Sequence, residues 1–390
     1  MDSIIRRYEA RADADLILAE HHGVAYQRDM SERSTNYGNE YLVKVQAYEG
    51  THIANAVNAG RVAFMLKHLA PGSAVLDYGA GTGDFMRAAS ADFRMSGFEI
   101  IPAMREKLIA EKKYAETARG FQAVTFWDVL EHLETPAIAL RRVERDALVF
   151  CSLPCFVDLN EIRKSRHYRP GEHLYYWTVE GFIEWMDRRG FRILETSRHE
   201  MMAGRDSVVA FAFKKDVPDY NDYLAAYREM HINRHYGYSA TAFLDEITDI
   251  VRRHKPNSVL DYGCGRSDLV AHFWLDGERR LGRYDPAIER YETMPDGVFD
   301  MAVCLDVLEH VPIAAIDRVL GQLKEKSNAV IFTISTALAR ARLPDGRNAH
   351  CTILRRGEWV EWLRDYWGAV EVLPTNWENE MMVLAGSFRR

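Results

Sequence analysis

The sequence predicts two consecutive α/β domains, each built on a mostly parallel, seven-stranded sheet with helices on both faces. Three observations support this prediction: an internal repeat, an alternation of short apolar segments with helical ones, and a glycine-rich turn after the first strand of each copy. Alternating strands and helices are typical of parallel sheets, because each crossover places a helix against one face of the sheet. A chain of 390 residues is long enough for two such domains at about 150 residues each.

The internal repeat consists of three ordered blocks at a nearly constant spacing. The first block recurs after 184 residues, the second after 178 and the third after 177. This period indicates a duplicated domain, because solenoid repeats have periods of only about 20–50 residues. We expect domains at 1–215 and 216–390, since an apolar strand ends at Phe213 and charged residues and a proline follow. The matching blocks are Ala74–Asp84 with Ser258–Asp268, Asp128–His132 with Asp306–His310, and Gly171–His173 with Asn348–His350.

The elements follow from the apolar segments of each half. Residues 1–70 are expected to form a helical leader for the first domain, and Tyr220–Lys255 a shorter helical leader for the second. In the second half, the interval Pro286–Val298 is too short for both a helix and a strand. The expected strands are Ala74–Asp77, Met95–Glu99, Ala123–Trp127, Ala147–Ser152, Phe191–Thr196 and Val208–Phe213, then Ser258–Asp261, Leu281–Asp285, Met301–Leu305, Ala329–Thr333, Ala369–Leu373 and Met381–Gly386.

Composition argues against several classes of protein. No apolar run approaches the roughly 18–20 residues that cross a bilayer, and the chain does not start with the apolar stretch of a signal peptide. The five cysteines lie scattered in apolar segments, as reduced buried thiols do. The net charge of −7 disfavours a general coat for nucleic acid. We therefore expect a cytoplasmic protein with no membrane partner.

The glycine turn is typical of a site for a nucleotide-like ligand. In both halves a strand ends in Asp and is followed by Gly-x-Gly, which permits close approach of a ligand to the backbone. A dinucleotide fingerprint needs a further glycine where Asp84 and Asp268 stand. A nicotinamide cofactor is therefore disfavoured. An acidic residue ends the next strand in each half, 22 residues after Asp77 and 24 after Asp261.

These motifs resemble those of the class I S-adenosylmethionine-dependent methyltransferases, in both halves. The block Val-Leu-Asp-Tyr-Gly-x-Gly is similar to their first motif, and Asp-Val-Leu-Glu-His to their fourth-strand motif. The resemblance implies two tandem Rossmann-like domains that bind S-adenosylmethionine and transfer a methyl group to a small hydroxylated or amine-bearing acceptor. The residues it implies for the cofactor are Asp77, Gly79, Gly81, Gly83, Glu99, Trp127, Asp128, Asp261, Gly263, Gly265, Asp285 and Asp306.

The second half departs from this pattern. Arg266 and Ser267 replace Thr82 and Gly83, so the third glycine is lost. The shortened interval after Asp285 predicts thin coverage of an adenine ring. We therefore expect the first domain to be the catalytic one, while a non-catalytic, binding role for the second remains open.

The Asp-x-x-Glu-His block can serve in two ways. Carboxylates and imidazoles together are ligands for Mg²⁺, Mn²⁺ or Zn²⁺, and the pattern is similar to that of metal-dependent O-methyltransferases. The metal set expected in the first half is Asp128, Glu131, His132 and His173. Without a metal, His132 is the candidate general base. The candidate catalytic residues are His132, His173, His310 and His350.

Other segments are candidates for contact with the acceptor. Tyr175, Tyr176 and Trp177 lie in a loop that this fold turns towards the acceptor, and they either stack on a flat substrate or pack in the core. Arginine-bearing loops precede this segment in both halves, which keeps nucleic acid open as an alternative acceptor. The leader residues expected to form a lid are Tyr37, Tyr41, Tyr48 and Glu49, and the loop cations are Arg163, Lys164, Arg166, Arg169, Arg340, Arg342 and Arg347.

Overall fold

The chain forms two compact units, Met1–Asp216 and Val217–Arg390, and each contains its own sheet. The computed structural model describes residues 16–19, 23–27, 43, 46–216, 220–233, 243–266, 280–375 and 379–387. None of the helices in these ranges is both long and apolar enough to cross a membrane.

The sheet of the first unit has nine strands in its described part. Strands β4, β3, β5 and β6 are neighbours in that order and run parallel. Strand β9 lies antiparallel to β6, and β8 lies antiparallel to β9. The strands are β1 (Leu16–Ala19), β2 (Val24–Gln27), β3 (Ala74–Tyr78), β4 (Arg94–Phe98), β5 (Ala123–Trp127), β6 (Leu148–Phe156), β7 (Tyr175–Thr178), β8 (Phe191–Ser197) and β9 (Val208–Lys215).

The sheet of the second unit repeats the central part of the first. Strands β11, β10, β12 and β13 are parallel neighbours, followed by antiparallel β15 and β14. This order is equivalent to that of β4, β3, β5, β6, β9 and β8. The six strands are β10 (Ser258–Tyr262), β11 (Arg280–Tyr284), β12 (Phe299–Leu305), β13 (Ser327–Ser335), β14 (Val370–Leu373) and β15 (Glu380–Gly386).

Helices cover the faces of both sheets. The central strands β5 and β10 are buried along their whole length, as expected for parallel strands with helices on both faces. The helices are α1 (His52–Leu66), α2 (Asp84–Ala89), α3 (Pro102–Ala110), α4 (Pro136–Arg141), α5 (Val179–Asp187), α6 (His199–Met202), α7 (Tyr220–Asn233), α8 (Leu244–His254), α9 (Ile316–Lys326) and α10 (Arg356–Trp367).

The α/β prediction is confirmed, and all twelve predicted strands are present within a few residues of their predicted ends. The strand numbers differ from seven: the described parts of the two sheets have nine and six. The second sheet is smaller because its described part has no counterparts of β1, β2 and β7. Pro286–Val298 holds only a 3₁₀ turn at Glu289–Tyr291, in agreement with its length.

The first sheet is larger because the leader is not entirely helical. Strands β1 and β2 form an antiparallel pair where a helix was predicted. Strand β2 then pairs with β7, through Val24–Tyr26 and Tyr175–Trp177. This contact joins segments about 150 residues apart, as Tyr26 and Tyr175 show, and local sequence patterns carry no information on it.

The aromatic segment of β7 packs in the core. Tyr175, Tyr176 and Trp177 are each at most 3% exposed. Trp177 contacts Phe182 and Trp185 of α5, with ring centroids 5.2 and 5.6 Å away. Of the two alternatives for these rings, the structure therefore shows packing in the core, where side chains of α5 cover Trp177.

Candidate functional site

The first glycine of each turn is required by the backbone and by packing. Gly79 and Gly263 have φ angles of 81° and 76°, in the left-handed region. A Cβ atom on Gly79 would lie 2.7 Å from Val129 Cγ2, and one on Gly263 only 2.3 Å from Val307 Cγ2. Each turn therefore packs directly against the residue that follows Asp128 or Asp306, so the ends of the first and third parallel strands form one site.

The second glycine of each turn binds the acidic residue after the neighbouring strand. The Gly81 amide donates to Glu99 Oε2 at 2.8 Å, and the Gly265 amide donates to Asp285 Oδ2 at 2.8 Å. The other carboxylate oxygen accepts from Ile101 in the first half and from Ala287 in the second, at 2.9 and 2.8 Å. Both acids are thus held at the predicted edge of the sheet.

The third glycine, Gly83, also adopts a left-handed conformation, with φ 79°, and directly precedes α2. Its counterpart in the second half, Ser267, lies outside the described residues, as does Asp268.

The aspartates that end β3 and β10 have different surroundings. The Thr125 hydroxyl donates to Asp77 Oδ1 at 2.6 Å. In the second half, Val303 stands opposite Asp261 in the register, so no hydroxyl is available there. Asp261 Oδ2 is buried and has no hydrogen-bond partner within the described residues. Burial raises the pKa of Asp77 to about 6, and burial together with the nearby Asp285 raises the pKa of Asp261 to about 7.

Asp128 lies in a partly buried cluster of charges, with 30% of its side chain exposed. Arg205 donates to both of its carboxylate oxygens, at 2.9 and 2.7 Å, and Arg61 donates to Oδ2 at 3.0 Å. Both guanidinium groups also bind the fully buried Glu200. Arg61 comes from α1 and lies 4.7 Å from the centre of the Trp127 ring.

This cluster bears on the predictions for Asp128 and Trp127, whose contact with the cofactor stays a prediction. Two guanidinium groups bind the carboxylate that was expected to bind the cofactor or a metal. Trp127 is buried, with Phe85 5.3 Å away on one side. The arginines come from segments distant in sequence, so the spacing of the Asp-x-x-Glu-His block gave no sign of them.

Asp306, the counterpart of Asp128, instead faces a cavity of about 500 Å³. Its Oδ1 accepts from the Thr333 hydroxyl at 2.7 Å. The cavity lies at the carboxyl ends of β10, β11 and β12, and α7 covers it with Tyr220, Tyr223 and Tyr227. The remaining polar lining residues are His231, Asp261, Asp285, Glu309, His310, Ser335, His350 and Glu380.

The four candidate histidines form two equivalent pairs. His132 and His173 have ring centroids 4.8 Å apart, and so do His310 and His350. His132 Nδ1 lies 2.8 Å from the Glu172 carbonyl oxygen, and His310 Nδ1 lies 2.9 Å from that of Ala349.

Burial weakens these imidazoles as bases. It lowers the pKa of all four, with His173 and His310 at about 3. They are therefore neutral at pH 7. A general base must be neutral to accept a proton, so His132 as a base stays a prediction, with a pKa below that of a solvated ring.

Glu131 and Glu309 are completely buried, and each has one carboxylate oxygen without a hydrogen-bond partner in the described part of the chain. Glu131 lies close to His132 and His173, with one ligand atom of each within 4.8 Å of the others. Asp128 is not part of this group. The predicted four-residue metal set of the first half is therefore brought together only in part.

The second half has two comparable groups, each also within 4.8 Å. One consists of Glu309, His310 and His350, and the other of Asp306, Glu309 and Glu380. Burial and the nearby Asp306 raise the pKa of Glu380 to about 7.

The profile of a family described as "Methyltransferase domain" matches the chain twice, at residues 51–196 and 232–372. The chain belongs to this methyltransferase family. It is a class I S-adenosylmethionine-dependent methyltransferase with two Rossmann-like halves. Both matched segments contain the glycine turn and the Asp-x-x-Glu-His block, so the resemblance drawn from these motifs is confirmed.

Among solved structures, the methyltransferase is similar to 1,6-didemethyltoxoflavin-N1-methyltransferase from Burkholderia thailandensis, with 14% identity and a TM-score of 0.34 over 50% of this chain and 96% of that one. It is also similar to the N-methyltransferase NodS from Bradyrhizobium japonicum WM9, with 11% identity and a TM-score of 0.33 over 43% of this chain and 98% of that one. A search among curated proteins finds no match.

Several residues of the methyltransferase site were missed from the sequence. Arg61, Arg205 and Glu200 form the cluster around Asp128, while Tyr227 and Glu380 line the cavity. The sequence carried one usable signal: Glu380 is a lone acid at the start of the apolar segment that forms β15. The other four depend on tertiary contacts.

The predicted lid falls partly outside the described residues, which exclude Tyr37 and Tyr41. Tyr48 lies near the arginine cluster: burial raises its pKa, and Arg205 and Arg61 oppose this. Glu49 forms an ion pair with Arg87. A lid over the first half stays a prediction.

The loop cations of the methyltransferase have local partners. Lys164 binds Glu161 at 2.6 Å, and Arg169 binds Glu172 at 3.0 Å. In the second half Arg347 pairs with Asp345. These contacts are typical of a solvated surface and give no support to a grip on phosphates.

Proposed function

We propose that the second half of the methyltransferase is its catalytic half, which binds S-adenosylmethionine and methylates a small acceptor in the 500 Å³ cavity. The observation that carries this proposal is the cavity itself. It lies at the carboxyl edge of the sheet, and its lining contains Asp261, Gly263, Gly265, Asp285 and Asp306. These are the five cofactor residues that the motifs predict for this half. Ligands of open α/β sheets bind at this edge.

The carboxylates of the cavity suit the cofactor. S-adenosylmethionine, when bound, supplies a methyl carbon on a positively charged sulfur and carries an ammonium group at its amino-acid end. The unpartnered Asp261 Oδ2 is an acceptor for that ammonium group. Asp285 is the family's residue for the ribose hydroxyls, and its carboxylate is already oriented by Gly265 and Ala287.

The first half is proposed to be non-catalytic. Arg61 and Arg205 neutralise Asp128 at the place where Asp306 faces the cavity in the second half. Together with Glu200 the cluster has no net charge, so Asp128 offers a sulfonium less attraction than an unpaired carboxylate does. The sequence favoured the first half because it keeps all three glycines, so the proposal reverses that preference. One active domain fused to a non-catalytic one was the alternative.

A small molecule is the proposed acceptor because of the size of the cavity. Sites for small ligands have volumes of about 300–1,000 Å³, and α7 covers this one with three tyrosines. A metal is not part of the proposal; in the first half, arginines bind Asp128, one of the four expected ligands. The free cysteines, four of them buried, agree with a cytoplasmic location, which stays a proposal.

Calorimetry on the full chain tests which half binds S-adenosylmethionine. We compare binding of S-adenosylmethionine to the native protein and to the matched variants Asp285→Ala and Glu99→Ala. We expect one site per chain, lost in Asp285→Ala and kept in Glu99→Ala. Circular dichroism checks that both variants fold. Loss of S-adenosylmethionine binding in Glu99→Ala alone would show that the first half is the one that binds the cofactor.

A further inference from the structure

We propose, on the basis of the proposed function, that the acceptor is a protonated amine, which Asp306, Glu309 and Glu380 bind before its nitrogen is methylated. This narrows the acceptor from hydroxyl or amine to a cationic amine.

Three carboxylates meet at one point of the cavity wall. Asp306, Glu309 and Glu380 each place an oxygen within 4.8 Å of the other two. They come from the end of β12, the 3₁₀ turn Leu308–His310 that follows it, and the start of β15. One point of the wall thus combines acids from two strands that do not pair with each other.

The carboxylates have unsatisfied oxygens. Glu309 is completely buried, and its Oε1 accepts from the Ser335 amide at 3.0 Å. Glu309 Oε2 and Glu380 Oε2 have no hydrogen-bond partner among the described residues. A buried oxygen without a donor is costly, so these positions call for a ligand that donates hydrogen bonds. An ammonium group offers three such donors and a compensating charge.

The cavity wall contains Asp and Glu side chains. Among the described residues that line the cavity there is no Lys or Arg. Neighbouring cations have other partners: Arg356 donates to the backbone oxygen of Glu380 at 2.9 Å, and Arg283 to the Tyr291 hydroxyl at 2.9 Å. Arg347 and Arg318 lie over the rings of Tyr223 and Tyr220, 4.0 and 5.2 Å from the ring centroids. The cofactor itself is assigned to Asp261 and Asp285. An acidic acceptor would therefore find no Lys or Arg to pair with at the three remaining carboxylates.

The first half lacks this arrangement of three carboxylates, so equivalent positions of the two halves can be compared. Val208 stands where Glu380 stands in the second half, since Pro154 pairs with Val208 as Ser335 pairs with Glu380. Asp128 is neutralised by two arginines. Among the described residues, the acidic wall is thus a property of the second half.

The reaction balances with the groups present. The ammonium group gives one proton to a carboxylate, for which Glu380 is placed, and becomes a neutral amine. Its lone pair forms the N–C bond while the C–S bond breaks, and the bonding electrons remain on sulfur. The product is a methylated ammonium ion and a neutral thioether, so charge is conserved.

The test measures binding to the full chain saturated with S-adenosylhomocysteine, so that the cofactor site is assayed separately. Matched probes are tyramine, its alcohol analogue tyrosol and the acid 4-hydroxyphenylacetate, with cyclohexylamine, cyclohexanol and cyclohexanecarboxylate as a second set. We expect the amines to bind at least about tenfold more tightly than the alcohols and acids. We expect Glu380→Gln to weaken amine binding about tenfold, as loss of a charged hydrogen bond does.

Glu371→Gln is the control, because it removes one negative charge from the exposed face of the adjacent strand β14. It should bind amines as the native chain does. Equal binding of alcohols or acids, binding of no amine, or unchanged amine binding in Glu380→Gln overturns the proposal. Binding of Mn²⁺ alone that Glu380→Gln abolishes, without amine binding, would identify a metal site instead. Failure to bind S-adenosylhomocysteine would overturn the proposed function itself.

Discussion

Asp128 and Asp306 occupy equivalent positions but have opposite surroundings. Both have left-handed backbones, with φ 57° and 53°, which Asp tolerates better than most residues. Two guanidinium groups bind Asp128, whereas Asp306 has a hydroxyl on one side and the cavity on the other. Identical pentapeptides therefore have different electrostatics, because their partners come from elsewhere in the fold.

The ion cluster makes the stability of the first unit sensitive to acid. Burial acts to raise the pKa of Asp128, but Arg205 and Arg61 hold it well below its usual 3.8. A lowered carboxyl pKa stabilises the fold while the group is ionised. This contribution is present above about pH 4 and is lost as the pH falls further. We expect Arg205→Ala to lower the free energy of unfolding by about 3 kcal/mol at pH 7 and to reduce the loss in acid, as measured by urea unfolding between pH 7 and 3.

A matched control is Arg192→Ala, which breaks the Arg192–Asp216 pair, where both side chains are 54% exposed. Exposed pairs contribute little, so this variant should unfold like the native protein. An equal loss of stability in both variants would contradict the assignment of the buried cluster.

At the scale of elements, side chains of α10 join it to α9. Trp362 Nε1 donates to Asp317 Oδ1 at 2.7 Å, and the Tyr366 hydroxyl donates to the same oxygen at 2.8 Å. A hydrogen bond to a charged group is worth about 1.5–3 kcal/mol. We expect Trp362→Phe and Asp317→Ala each to lower the free energy of unfolding by about 2 kcal/mol, measured by thermal or urea unfolding.

A double-mutant cycle isolates this contact. The combined variant should lose less than the sum of the two single losses, because both remove the same bond. Strictly additive losses would show that the hydrogen bond does not couple α10 to α9, and that each change acts only through local packing.

The elements also show which structures a sequence pattern can predict. The twelve predicted strands are buried apolar segments flanked by turns, so their burial is visible in their composition. Strands β1, β2 and β7 were missed because they are defined by pairing with each other across the first unit.

At the scale of the whole molecule, duplication preserved the order of the strands and changed the chemistry. The strand order β4-β3-β5-β6-β9-β8 of the first unit recurs in the second unit as β11-β10-β12-β13-β15-β14. Burial of the strands maintains this order in both copies, while a few side chains at the carboxyl edge decide whether a site is neutralised or faces a cavity.

Removal of metals tests the whole molecule. Our proposals assign binding of the cofactor and the acceptor to carboxylates of the second half, so we expect EDTA to leave binding of S-adenosylmethionine and methyl transfer unchanged. Methyl transfer can be followed by release of S-adenosylhomocysteine from the full chain. Loss of transfer with EDTA that Mn²⁺ or Mg²⁺ restores would instead support the metal set predicted from the Asp-x-x-Glu-His motif.

The sequence by itself determined the fold class, the duplication and the turns that form the site, because glycines, strand-end acids and apolar runs act through local backbone and burial. Only the tertiary structure decided the surroundings of the two equivalent aspartates. That outcome depends on Arg61 and Arg205 meeting Asp128, and on Glu380 meeting Asp306. Contacts between residues separated by 67 to 77 positions, such as these, are fixed by packing and leave no local pattern in the chain.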